Sequence, residues 1–219
     1  MLVFGTIVML ALFLLVGWAV STEMFQQRAW RRRVAAGDVA IVCALLEESM
    51  NSWRRARPPK GVKSGLWVSI QGAQLIAVTA DTATVSTSAE AEFRIENGRR
   101  VQASSALDEA INLASRLVDM LLYDVANLRL EGVRVDVFTT FASDDQDAIQ
   151  KPILTTTAWR TKAEGIDWEA LTPEEVLGRF DTSYERGLGG RGVPVEIPEV
   201  DGIHPADIVH KSAEQEDLS

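Results

Sequence analysis

The first 21 residues, Met1 to Ser21, are apolar at almost every position and carry no charged side chain. A helix of about 20 such residues, rising about 1.5 Å per residue, spans the roughly 30 Å hydrocarbon core of a bilayer. The pattern therefore predicts a transmembrane helix over residues 1–21. A cleaved signal peptide is the competing reading, with Ala19-Val20-Ser21 as a weak cleavage site. It lacks the Lys or Arg that should precede a short apolar run.

Beyond the apolar stretch the pattern becomes helical and amphipathic. Val39, Val42, Cys43, Leu46, Met50 and Trp53 recur at helical spacing, which predicts a helix from about Val39 to Arg57 that ends at Pro58-Pro59. The period then shortens to that of strands. Leu66–Val78 and Thr82–Ser88 are rich in β-branched residues, with Ala80-Asp81 as a turn. Residues 91–95 and 100–102 flank Asn97-Gly98, the strongest short hairpin signal because both turn residues must accept positive φ. Residues 66–103 are thus expected to form a meander of three or four antiparallel strands.

Ser104 to Val125 gives the clearest helical stripe, through Leu107, Ala110, Ile111, Ala114, Leu117, Val118, Leu121, Leu122 and Val125. Ser105 and Asp108 resemble a capping box at its start. Val133–Phe141 alternates apolar and polar residues, and residues 153–159 form the returning strand. Thr172-Pro173-Glu174-Glu175 is a strong helix start, with Thr as N-cap, Pro at N1 and Glu at N3. That helix is expected to reach Phe180 or Tyr184. From Arg186 onward, glycines, prolines and acids predict a loosely ordered tail.

The resulting fold class is α+β: a transmembrane helix, then a cytoplasmic domain of antiparallel sheet with helices packed on one face. The boundaries are residues 1–21 for the membrane helix and 22–63 for a basic juxtamembrane helix and connector. The α+β domain takes 64–185 and the acidic Gly/Pro tail 186–219.

Charge sharpens this picture. The 219 residues carry a net charge of −9. Residues 1–63 hold nine Lys/Arg against four Asp/Glu, a balance of +5, and the remainder holds 13 against 27, a balance of −14. Arg28, Arg31, Arg32 and Arg33 follow the apolar helix, and basic residues at a membrane end stay cytoplasmic. Trp18 and Trp30 bracket the exit and can sit at headgroup level. The expected location is the plasma membrane, with one span and a cytoplasmic C-terminal domain. The acidic domain should stand away from anionic lipid and from nucleic acid.

Candidate chemistry is sparse. Cys43 is the one cysteine, so no intrachain disulfide forms, and the two histidines, His204 and His210, lie in the tail without cysteine neighbours. Gly187-Leu188-Gly189-Gly190-Arg191-Gly192 neither follows a predicted strand nor opens a helix, which argues against a nucleotide loop. Asp144, Asp145 and Asp147 lack the closing residues of a calcium loop and read as a charged hairpin tip. Asp136 with Arg160 and Lys162 forms either a cross-strand ion pair or a carboxylate–base cluster. Glu90, Glu92 and Glu96 share a strand face.

The stretch from Trp53 through Arg54, Arg55 and Arg57 to Trp67 sets basic residues between two tryptophans. Either the tryptophans pack into the core, or the stretch docks a protein or lipid, Trp and Arg being enriched in interface hot spots. Nucleic-acid stacking is the third reading. No cofactor or metal is implied. The leading expectation is a membrane-anchored protein-interaction, scaffold or accessory module of a membrane complex, in contact with lipid and a protein partner, with self-association left open. The alternatives are a membrane-tethered, metal-dependent enzyme using carboxylates and a small-ligand sensor domain.

Overall fold

The computed structural model describes residues 38–142 and 148–208. The expected membrane helix, with Trp18, Arg28, Trp30 and Arg31–Arg33, lies outside the described residues. So do Asp144, Asp145, Asp147 and His210. Among the described residues, no helix is long and apolar enough to cross a membrane.

Helix α1 (Val39–Arg55) starts where the Asp38 carboxylate accepts from the Ala40 N–H at 3.1 Å. It buries Ile41, Val42, Cys43, Leu45, Leu46 and Met50, the stripe its period demands. The next segment departs from expectation. Residues 66–71, the first part of the expected strand Leu66–Val78, belong instead to helix α2 (Ser64–Gln71), which buries Trp67 and Ile70 on one side and leaves Val68 65% exposed. Trp67 and Ile70 are three residues apart, so one helical face takes both into the core. A strand would have sent them to opposite faces, and packing overrides the weak β propensity.

Strand β1 (Gln74–Val78) pairs antiparallel with β2 (Thr82–Ser88) around the expected turn at 80–81. There the Thr79 N–H donates to the Thr82 carbonyl at 3.0 Å. Strands β3 (Glu92–Glu96) and β4 (Arg99–Ser104) form the expected Asn-Gly hairpin, with φ of 51° at Asn97 and 74° at Gly98. They do not join a meander, however, and make a separate two-stranded sheet.

Helix α3 (Ala106–Asp119) opens with the Ser105/Asp108 capping box and continues as a π-helical turn over Met120–Asp124. Strand β5 (Gly132–Ala142) then lies parallel to β2, a correction to the expected all-antiparallel sheet. Between β2 and β5 the chain crosses over through the hairpin and α3, and such a crossover lets a strand return in the same direction. Strand β6 (Ala148–Trp159) pairs antiparallel with β5, and one helical turn, α4 (Arg160–Ala163), follows.

Helix α5 (Pro173–Leu177) has the expected Thr172/Glu175 capping box but stops earlier than expected, at Gly178. Beyond it, β7 (Asp181–Arg186) pairs with β6, because alternate residues Thr182 and Tyr184 find the sheet edge. A short β8 (Gly192–Val193) pairs with β7. The main sheet runs β1-β2-β5-β6-β7-β8.

One face of this mixed sheet packs under the helices. Ala83 and Val85 of β2, Val133, Val135 and Val137 of β5, and Leu154 of β6 join Leu107, Ala110, Ala114 and Leu117 of α3 and Leu121 of the π-helical turn in a single core. The other face is polar yet largely buried, and its cover is the segment expected to be a loose tail. Residues 194–203 form a strap across the sheet. The Val195 N–H donates to the Pro152 carbonyl at 2.9 Å. Arg134 on β5 donates to the carbonyls of Pro198 at 2.8 Å and Glu199 at 3.1 Å. Ile203 and Val78 exchange two backbone hydrogen bonds. Pro194 and Pro198 cannot donate to a ladder, so the strap is held partly by a side-chain donor reaching out from the sheet.

Candidate docking surface

The tryptophan–arginine connector is where an interaction site was expected, and most of it is committed to holding α1 against α2. Trp67 is buried and its indole N–H donates to the Ala56 carbonyl at 3.0 Å. The Gln71 side-chain amide reaches the carbonyls of Trp53, Arg54 and Ala56. Arg54 in turn donates to the carbonyls of Gln71 and Ala73 and to Asn51. These groups satisfy the carbonyls that a helix end leaves without partners. Trp53 is half-buried against the core, and Arg55 and Arg57 are exposed. The five residues therefore do not share one surface: Trp67 belongs to the core and Arg54 to the α1–α2 junction.

The expected pairing of Asp136 with Arg160 and Lys162 is also replaced. Asp136 is 3% exposed and meets Arg134 of its own strand at 3.0 Å and the Thr155 hydroxyl at 2.6 Å. Lys162 pairs with Asp181 at 2.9 Å. Arg160 is buried, and its guanidinium donates to the carbonyls of Leu130 and Leu122 while lying over the Tyr123 ring. A cation at the end of α3 suits the negative pole of the helix dipole, and the hydrogen bond to Leu122 serves a carbonyl of the π-helical turn. Strand alternation placed Asp136 away from the apolar core, as the sequence indicated. Its burial comes from the strap, which hydropathy does not register.

Cys43 sits in the core, where burial and then the Glu47 carboxylate push its thiol up to about 11. It is a small hydrophobe rather than a nucleophile. Among the described residues, no group of three or more His, Cys, Asp or Glu is placed to hold a metal ion.

Three of the exposed large apolar side chains sit together on the β3–β4 hairpin, others such as Val68 and Leu188 being scattered. Ile95 is 80% exposed, Phe93 45% and Val101 39%. Side chains alternate across the ribbon. Phe93 and Ile95 of β3 share a face with Arg100 and Gln102 of β4, and the Arg100 guanidinium lies 4.0 Å above the Phe93 ring. The opposite face carries Arg94, Glu96, Arg99 and Val101, with an Arg94–Glu96 ion pair at 2.8 Å. The base of the arm is anchored by Lys63, which binds Glu92 at 3.1 Å and approaches Glu109 of α3 at 3.6 Å. The hydrogen bond to Glu92 and the charge of Glu109 hold the Lys63 ammonium above its ordinary value.

Beside the arm lies a trough of about 550 Å³, floored by Leu66, Ala89 and Leu113 and edged by Val68, Lys63 and Glu90. Glu90 itself accepts from the Thr140 N–H and hydroxyl, so the three glutamates of the expected acidic strand face are divided. Reading residues 66–103 as one meander hid this arm. The signal was present in Phe93 and Ile95, an apolar face with charges on either side in a hairpin whose turn is fixed. Comparison with family models, curated proteins and solved structures gives no match.

Proposed function

We propose that this chain is a protein-binding module tethered by its first 21 residues to the plasma membrane, with the α+β domain on the cytoplasmic side. The observation that carries the binding role is the β3–β4 arm. It is a two-stranded sheet separate from the main one, and it presents Phe93, Ile95 and Val101 to solvent. A two-stranded hairpin is marginally stable alone in water, so apolar residues on its outer surfaces are ill suited to solvent and well suited to a partner. The tether rests on the apolar run and on Arg28, Arg31, Arg32 and Arg33, which favour a cytoplasmic C-terminus.

Two experiments on the full chain test this reading. A photo-activated cross-linking residue placed at Ile95 in cells should give a protein adduct, while the same residue at Arg57 should not. No adduct at Ile95, Phe93 or Val101 refutes the docking surface. A reporter fused after Ser219 that is active only outside the cytoplasm should stay silent, and activity there reverses the topology.

A further inference from the structure

We propose that the partner of the arm is a second copy of this chain, joined edge to edge through β3 about a two-fold axis at Ile95. The inference rests on the tethered-module reading and names the occupant of its docking surface. The two-residue turn makes Glu96 and Arg99 the closing hydrogen-bonded pair, so the backbone groups of Arg94 and Glu96 point toward β4. Those of Phe93 and Ile95 point outward. Among the described residues they meet no backbone partner on that side. An open strand edge of this kind is a template for another strand.

Charge selects both the edge and the register. On β4 the adjacent Arg99 and Arg100 guard the edge, and a β4–β4 pairing about Arg100 would bring these guanidinium groups together. On β3 the sequence Glu92-Phe93-Arg94-Ile95-Glu96 is complementary to itself in one arrangement. With the axis at Ile95, each Arg94 stands opposite the other chain's Glu96, Ile95 meets Ile95, and the two Ile95 residues exchange their backbone hydrogen bonds. Opposed unlike charges and apolar pairs stabilise a sheet, and opposed like charges destabilise it. An axis at Arg94 would oppose Arg94 to itself and Glu92 to Glu96. An axis at Phe93 would oppose Glu96 to Glu90, whereas the axis at Ile95 lets the Arg94–Glu96 pair of each chain close with that of the other into four alternating charges. In this register residues 94–96 of each strand pair, and Phe93 falls opposite the turn residue Asn97, so the interface is small, below that of a stable soluble dimer. Confinement of both copies to one membrane raises their effective concentration and favours the pairing.

The test uses the full chain in a bilayer, with disulfide cross-linking by a mild oxidant. Paired Ile95 positions lie at a Cα separation of about 5.5 Å, within disulfide range. Phe93 positions in the same register lie four residues apart along the strands, about 13 Å. Ile95→Cys should therefore cross-link at least about tenfold faster than Phe93→Cys, since the longer span exceeds disulfide geometry. Arg94→Glu in the Ile95→Cys background should slow cross-linking by about tenfold, because two attractive pairs become repulsive. The charge swap, adding Glu96→Arg, should restore the rate. Equal rates at Ile95 and Phe93, or no restoration by the swap, overturn the proposal. If photo-adducts to other proteins persist in that case, the binding-module reading survives without self-pairing. If the chain fractionates wholly as a soluble protein, the tether is refuted, and the same cross-linking comparison on that soluble chain decides the pairing alone.

Discussion

The strap predicts a specific energetic signature at Arg134. This side chain is buried and makes three polar contacts at once: the Asp136 carboxylate and the carbonyls of Pro198 and Glu199. Replacing it with Met keeps much of the apolar stem and removes the guanidinium. Asp136 then stays buried with the Thr155 hydroxyl as its remaining partner, and two strap carbonyls lose their donors. Breaking a buried pair by removing one partner costs about 3–5 kcal/mol. That is a large part of the roughly 5–15 kcal/mol by which a domain is stable. Removing both charges is different. Arg134→Met with Asp136→Leu leaves no buried orphan charge, so much of the loss should return, with a residue of about 1–3 kcal/mol from the two strap carbonyls and the Thr155 hydroxyl, which lose their partners. Chemical denaturation followed by tryptophan fluorescence gives the three free energies. Amide hydrogen exchange over residues 195–203 should accelerate in both variants, because the strap has lost its side-chain donor in each. A single variant that costs under about 1 kcal/mol, or a double variant no more stable than the single, would show that the buried pair does not hold the strap as described.

Other positions give equally direct expectations. Leu117 on α3 and Leu121 on the π-helical turn that continues it are fully buried, so each change to Ala should cost about 2–5 kcal/mol, and the pair should unfold the domain in the same denaturation assay. Gly202 has φ of 116°, and a Cβ there would lie 2.7 Å from the Val78 carbonyl oxygen. Gly202→Ala should free the end of the strap and be read as faster proteolysis near residue 203, with the main core intact. The Cys43 thiol, pushed up to about 11, should react with a thiol reagent at neutral pH only after denaturation. For Asp108, burial works against ionisation, but hydrogen bonds from Arg186 and Ser105 outweigh it and hold the carboxyl below its ordinary value. A depressed folded value means this contribution is present above the ordinary carboxylate range and is lost as pH falls through the lower, folded value. Arg186→Gln should therefore lower stability across the neutral and alkaline range and leave the acid end, where Asp108 is already protonated, nearly unchanged.

Much of the local structure was legible because its causes are local. The stripe from Leu107 to Leu121, the Ser105 and Thr172 capping boxes and the Asn97-Gly98 turn each follow from side-chain period, a cap hydroxyl or a backbone that tolerates positive φ. The α+β class follows from the same signals. Tertiary structure decided the rest. Whether Trp67 and Ile70 belong to a strand or a helix depended on the core they enter, since both periods fit a short apolar run. The parallel pairing of β2 with β5 depended on where α3 returns the chain. The isolation of the β3–β4 arm depended on which strands β2 prefers as neighbours, and hairpin chemistry says nothing of that. Residues 194–203 lack the apolar period of a core element, so their composition reads as loose. They are nevertheless fixed, because Arg134, Pro152 and Val78, distant in sequence, supply the donors and acceptors that their backbone requires.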